Sequence, residues 1–271
     1  MGMVVRSNIM GINANRQLSM NNNQVSKNLE KLASGFRINR AGDDASGLAI
    51  SEQMKAQIKS LDVASANAQD AISVVQTAEG ALTETHDMLN RLTELSMKAA
   101  NGVLNTKARE NLQEEAKALT EEITRIAQKT NFSGTTLLDG SLNMQLQIGD
   151  TGDQTIALSV ASMTAQGLSI NNINLSSVST ANAAISTVKT AIETVSTERA
   201  KLGAIQNRLE HTINNLDVTS ENMSSANSRI RDTDMAKTMM EYTKTSVLVQ
   251  SAQAMLAQAN QQPQSVLQLL Q

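Results

Sequence analysis

The 271-residue chain contains no cysteine and no tryptophan, one proline (Pro263), and three aromatic side chains, Phe36, Phe132 and Tyr242. Without cysteine there is no disulfide framework, no thiolate metal site and no thiol nucleophile. A compact globule usually leans on aromatic rings for large buried areas, and prolines punctuate its turns. A chain short of both, yet rich in Ala, Leu, Gln, Asn, Ser and Thr, suits long thin helices. Histidine is scarce as well. His86 and His211 lie far apart within helical patterns, belong to no His-Glu-x-x-His pair, and read as ordinary surface or seam residues rather than metal ligands. The 23 basic side chains meet 26 acidic ones, a formal charge of −3, so no basic excess steers the chain to nucleic acid. No apolar run of about 18 residues is present for membrane insertion. The opening MGMVVRSNIMGIN has neither the apolar core nor the cleavage site of a secretory peptide. Arg6 stands where a myristoylation signal needs Ser or Thr.

What the chain does have is helical periodicity. Residues 4–34 place Val5, Ile9 and Ile12, then Val25, Leu29 and Leu32, three or four apart, the helical signal, with the weak helix formers Asn21–Asn23 between them. Residues 54–99 run unbroken, with Val75, Ala78, Leu82, Leu89 and Leu92 on a heptad-like seam whose polar slot is Thr85. Asn101-Gly102 ends that helix. Asn105 or Thr106 caps the next, which reaches about Lys129 with Leu112, Ala116, Leu119, Ile123 and Ile126 on one face. NFSGTTLLDG is turn chemistry, and Asn143–Ile148 and Thr155–Val160 alternate polar and apolar around GDTGDQ, the pattern of a β-hairpin. Residues 161–178 are rich in Ser and Asn and show no clear period. From about 180 to 230 a second long helix steps through Ile185, Val188, Ile192, Val195, Arg199, Leu202, Gln206, Leu209, Ile213 and Leu216. At roughly 75 Å it cannot bury that stripe alone and needs the 54–99 helix beside it. Residues 234–271 give a last helical run with Val247, Met255, Leu256 and Leu267. This order predicts a mainly α fold, an elongated antiparallel coiled-coil bundle of long helices, with the termini paired at one end and one small hairpin region, about 131–160, at the other.

The stretch GFRINRAGDDASGLAIS, residues 35–51, crowds glycine and charge between two helices and invites an active-site reading. It holds no GxxxxGK[ST] and no GxGxxG, and Asp43-Asp44 lacks the alternate-carboxylate spacing of a calcium loop. It reads instead as a bent connector, in which Gly35 and Gly47 supply unusual backbone angles while Arg37, Arg40, Asp43 and Asp44 supply ion pairs. No catalytic residue, metal ligand or cofactor site is expected. The Asn- and Gln-rich ends read as helices that are marginal alone and need a partner. Together these features favour a structural, self-associating protein.

Three blocks resemble the bacterial flagellins: SNIMGINANRQL near the N-terminus, KNLEKLASGFRINRAGDDASGLAISEQM, and NSRIRDTDMAKTMMEYTKTSVLVQSAQAMLAQANQQPQSVLQLL. Ser46 and Gly11 depart slightly from the family pattern. Hook–filament junction proteins share similar terminal helices and are the nearest alternative. The resemblance implies a subunit that polymerises into the flagellar filament for motility, in a short form without variable outer domains. It implies a filament-core domain made of residues 1–34 and 235–271, a connector at 35–55 and a rod domain at 56–234. Val5, Ile9, Ile12, Leu29, Leu32, Val247, Met255, Leu256 and Leu267 become candidate core-assembly residues. The implied partners are further copies of the chain, the flagellar cap and hook-junction proteins, and an export chaperone at the C-terminal helix. The implied route is unfolded export by the flagellar type III system to an extracellular filament. Some flagellins are sensed by Toll-like receptor 5, and the matching residues here are Arg91, Leu95 and Glu115. The plain reading of these three is two solvated helix charges and a packing leucine, and Thr93 replaces a residue often basic in strong activators.

Overall fold

The helical periodicities become five helices: α1 (Ile9–Ser34), α2 (Ala45–Ala99), α3 (Thr106–Lys129), α4 (Val178–Arg231) and α5 (Met235–Leu269). The computed structural model describes residues 8–269, and side chains as far as Gln261. α1 runs straight through Asn21–Asn23; pairing along its length outweighs their weak propensity. Asn8 caps α1 by accepting the Gly11 N–H at 2.9 Å, and Asn105 caps α3 by accepting the Ala108 N–H at 2.8 Å. The turn NFSG closes a minimal hairpin, β1 (Asn131–Phe132) and β2 (Thr135–Thr136), with Ser133 and Gly134 both at positive φ. β3 (Asn143–Gln147) and β4 (Thr155–Ser159) form the second hairpin, in antiparallel register from Asn143 opposite Ser159 to Gln147 opposite Thr155.

The chain divides into two units, one of residues up to Ala56 together with those from Asn222 onward, the other Gln57–Glu221. The second unit holds almost all of the buried apolar residues. Val75, Ala78, Leu82, Leu89 and Leu92 of α2 are buried as the heptad seam requires, and Thr85 is buried among them with its hydroxyl returned to the Ala81 carbonyl at 3.0 Å. Antiparallel α4 is tied to α2 by Ser65 to Asp217 and by Ser220 to Asp62.

Three expectations need correction. The buried line of α4 is Ala181, Ala184, Val188, Ala191, Val195, Glu198, Leu202, Leu209 and Leu216. Ile185, Ile192, Arg199, Gln206 and Ile213 flank it, half-buried. Alanine at the centre lets two helices approach closely, so the bulkier isoleucines are moved to the edges. The β3–β4 hairpin does not lie at the α2–α3 turn: Gln57 donates to Asp150 at 2.7 Å and Asn67 to the Gln147 carbonyl at 3.4 Å, which fixes its tip beside the early part of α2. The period-free segment after β4 is a core strap, burying Met163, Ala165, Leu168, Ile170 and Leu175. Gln113 of α3 holds it at both faces of one amide, donating to the Ile173 carbonyl and accepting from the Leu175 N–H.

Candidate functional site

α1 and α5 form the antiparallel pair of the first unit. Asn8 Nδ2 donates to the Ala259 carbonyl at 2.8 Å, and at the opposite end the Thr233 N–H donates to the Gly35 carbonyl at 2.9 Å. The shielded face of α1 is Gly11, Ala14, Leu18, Asn21, Val25, Asn28 and Leu32; that of α5 is Thr238, Tyr242, Thr245, Val249, Ala252, Leu256 and Ala259. Both step by three and four, as a coiled-coil seam does. Large aliphatics in this seam alternate with small and polar residues. Gly11 is buried, and a Cβ there would stand 2.9 Å from Asn8 Nδ2. Asn28 is 2% exposed, and its Nδ2 has no acceptor.

Many large apolar side chains of this pair point outward. Ile9, Met10, Ile12, Met20 and Leu29 on α1, and Met235, Met239, Met240, Val247, Leu248 and Met255 on α5, are all exposed. On α5, Met240 and Val247 stand one heptad apart, as do Leu248 and Met255, so the four make one continuous stripe. Of the candidate assembly residues, Ile9, Ile12, Leu29, Val247 and Met255 are therefore outward, while Leu32 and Leu256 help line the seam. The apolar residues of α1 that the sequence spaces three or four apart are split between two faces, Val25 and Leu32 inward, Ile9, Ile12 and Leu29 outward. Val5 and the side chain of Leu267 lie outside the described residues.

The connector joins the Gly35 end of this helix pair to the close of α4 and the start of α2. Gly35 ends α1 in the left-handed region at φ 76° and returns its N–H to Lys31. Arg37 donates to the Ile230 carbonyl at 2.6 Å, and its own N–H to the Arg231 carbonyl. Arg231 lies over the Phe36 ring, 4.7 Å from its centroid, and bonds Glu52. Of the connector charges, Arg40 makes an ion pair among the described residues, with Glu30 at 2.9 Å. Asp43 accepts the N–H groups of Arg40 and Asn39, which hold its carboxyl below the usual range. Asp44 accepts the Gly47 N–H at the start of α2. Gly47 lacks the expected unusual angle; its role is close approach, since a Cβ would stand 2.6 Å from Asp44. Arg231, which the sequence reading passed over, is the hub of this joint. Its position just before the Asp-Thr-Asp break between α4 and α5 was the available signal.

On the second unit, Arg91 bridges two carboxylates, Glu115 at 2.8 Å and Glu94 at 2.8 Å. Their negative charge keeps the guanidinium more firmly protonated than usual. Leu95 is 0% exposed, so it cannot touch a partner: it packs in the core behind this charged surface. Among the described residues no three His, Cys, Asp or Glu side chains gather as metal ligands, and no helix is long and apolar enough to cross a membrane.

The profile of the bacterial flagellin N-terminal helical region matches residues 5–143, and that of the C-terminal helical region matches 185–270. A flagellin of Bacillus subtilis is 48% identical over 99% of this chain and all of its own length. The flagellar filament 33 kDa core protein of Treponema phagedenis is 46% identical over the same share of each. The crystal structure of Bacillus cereus flagellin, 32% identical, superposes with a TM-score of 0.50 over 60% of this chain and 94% of its own. A helix pair with exposed apolar stripes on its outer faces and these matches over both helical regions have one reading: the chain belongs to the bacterial flagellins, structural subunits of the flagellar filament.

Proposed function

We propose that the outward stripes of α1 and α5 are the surfaces through which copies of this chain join in the filament core. The observation that carries this reading is the outer surface of the α1–α5 pair: its seam mixes Leu18, Val25, Leu32, Val249 and Leu256 with small and polar residues, while Ile9, Met10, Ile12, Met20, Leu29, Met240, Val247, Leu248 and Met255 stand exposed outside it. Burying each such side chain against a neighbouring copy is worth about 1.5–3 kcal/mol. In this reading Ile9, Ile12, Leu29, Val247 and Met255 contact other copies, and Leu32 and Leu256 hold the pair together. Residues 1–34 and 235–271 form the core domain, 35–55 the joint, and 56–234 the rod. Electron microscopy of the protein seeded with short filaments in ammonium sulfate tests it, since that salt strengthens apolar burial. Long uniform tubes are expected, and their loss on removing residues 1–30 or 240–271. Truncated chains that extend seeds as well as the full chain would refute it.

The same reading covers delivery. With no disulfide to constrain it, the chain travels unfolded through the flagellar type III route to an extracellular filament. An export chaperone covers α5 on the way, and cap and hook-junction proteins meet the terminal helices at the filament ends. In isolated monomer the amides of α1 and α5 then exchange with solvent much faster than those of α2. Equal protection of all three helices would count against a pair that gains its order on assembly.

A finer reading assigns Toll-like receptor 5 to the Arg91–Glu115 surface, with Leu95 supporting the helix from inside. Loss of receptor-reporter signal in Arg91→Ala, with unchanged filament growth, is the expected result. Full signal in that variant removes the assignment.

A further inference from the structure

The turn between α2 and α3 contains Asn101-Gly102, the one Asn-Gly pair in the chain. We propose that Asn101 is a site of spontaneous deamidation in the folded protein, giving a mixture of aspartate and isoaspartate at this turn. The geometry supplies what the reaction needs. Asn101 Oδ1 accepts the Val103 N–H at 3.2 Å, and the Leu104 N–H reaches the Asn101 carbonyl at 3.4 Å. The side chain is therefore folded back along its own turn, its carboxamide oxygen held by the residue that follows Gly102. The Gly102 N–H makes no hydrogen bond among the described residues, and the residue is exposed. Nothing lies within 4 Å of where a Gly102 Cβ would be, so water reaches the nitrogen and the turn has room to move.

The atoms balance without a cofactor. Hydroxide from water removes the Gly102 N–H proton, and that nitrogen bonds to Asn101 Cγ. Negative charge develops on Oδ1, where the Val103 N–H already donates. The Cγ–Nδ2 bond then breaks, Nδ2 takes a proton from water and leaves as ammonia, and a five-membered imide remains. Water adds to either imide carbonyl and opens the ring, to aspartate or to isoaspartate. No electrons are exchanged. The new carboxylate arises beside Arg109, whose Nη2 lies 3.1 Å from the Asn101 carbonyl oxygen, and next to Val103, which is 89% exposed.

Asp139-Gly140 is the natural contrast, since the same ring can form from an Asp-Gly pair. Asp139 is clamped: Ser141 donates its N–H at 2.8 Å and its hydroxyl at 2.6 Å to one oxygen, and Thr136 donates at 2.6 Å to the other. A Cβ on Gly140 would stand 2.9 Å from Ser162. One pair is open and mobile in its local chemistry; the other is tied down and walled in.

The test is incubation of the full folded protein at neutral pH and warm temperature, followed by trypsin digestion and mass spectrometry of the peptide Ala99–Lys107. The expected result is loss of the parent peptide to two products. Each is heavier by the difference between a hydroxyl and an amino group, and the isoaspartate form predominates. The peptide around Asp139 should stay unchanged in folded protein and begin to isomerise in urea. Gly102→Ala, for which the turn has space, should slow conversion by roughly tenfold or more, because a Cβ crowds the attacking nitrogen. Circular dichroism confirms that this variant is folded. An unmodified Ala99–Lys107 in folded protein, over a time in which the free peptide converts, overturns the proposal. So does equal conversion in Gly102→Ala.

Discussion

The α2–α4 pair of the second unit and the α1–α5 pair of the first are both antiparallel and both follow a three-four step, yet they distribute apolar bulk in opposite ways. In the first pairing Leu82, Leu89, Leu92, Val188, Val195 and Leu202 are buried, and what remains outside is mostly polar. In the second, Gly11, Asn28 and Thr238 are buried while Ile12, Leu29, Val247 and Met255 are exposed. The former is a helix pair that closes on its own seam. The latter mixes small and polar residues into its seam and leaves a broad apolar surface outside it. The same periodicity thus serves folding in one unit and association in the other, and residue size on each face decides which.

The largest expected effect breaks the second unit. Leu82→Ala or Leu92→Ala should cost about 2–5 kcal/mol of monomer stability, the usual range for a buried leucine, read by urea denaturation of the second unit. Leu29→Ala, on the outer face of α1, should change monomer stability by less than about 0.5 kcal/mol, as exposed substitutions do. If Leu29→Ala cost as much as Leu82→Ala, the two units would not differ as described. Next come Ile12→Ser and Val247→Ser. Each forfeits about 1.5–3 kcal/mol of burial per subunit in the filament while leaving the monomer intact. Seeded growth followed by light scattering should slow sharply. Unchanged growth would mean that other faces carry the association.

A smaller effect is expected at Asn28. Its buried Nδ2 lacks an acceptor, and its Oδ1 receives only a long 3.4 Å bond from Gln24. Asn28→Leu should stabilise the α1–α5 pair by on the order of 1 kcal/mol, by removing an unsatisfied polar group from the seam. Slower hydrogen exchange in both helices would show it. A loss of protection would mean that the asparagine holds the pair in register, the attested use of a lone polar seam residue.

Much of this was legible in the sequence, and the exceptions share a cause. The α2 seam was readable because leucine and valine mark it without ambiguity. The hairpin of Asn143–Gln147 with Thr155–Ser159 was readable because a period of two survives around a Gly/Asp turn. In α4, Val188, Val195, Leu202, Leu209 and Leu216 are buried as read, but the positions between them were misplaced where hydropathy ranks Ile185 and Ile192 above Ala184 and Ala191, while close helix approach favours alanine. Glu198, buried with Lys201 at 2.6 Å from its carboxylate, gives no sign in a pattern of apolar steps. The core strap carries apolar residues at 163, 165, 168, 170 and 175 with no single period, since irregular backbone imposes none. For the candidate surface, spacing alone identified apolar residues near both ends but could not say which faced a partner helix within the chain. Only the α1–α5 pairing separates Leu32 from Leu29.

The smallest effect compares one carboxylate from each unit. Asp139 is held at about 2 by the Ser141 hydroxyl, then the Thr136 hydroxyl and the Ser141 N–H. Asp43 is lowered by the backbone N–H groups of Arg40 and Asn39. A carboxylate whose folded pKa is depressed contributes stability above its unfolded value, here 3.8 for Asp139, and that contribution is lost as pH falls through the folded value of about 2. Between those limits the turn after β2 should loosen while the helices of the second unit persist, because Leu137 and Leu138 beside it remain buried whatever the charge. Carboxyl-carbon NMR of labelled aspartates follows both groups in one titration. Ser141→Ala should move Asp139 back toward the ordinary range and leave Asp43 unmoved. If Asp43 moved as well, the two anchors would be coupled, and the division of the chain into a self-sufficient unit and an association unit would need redrawing at the connector.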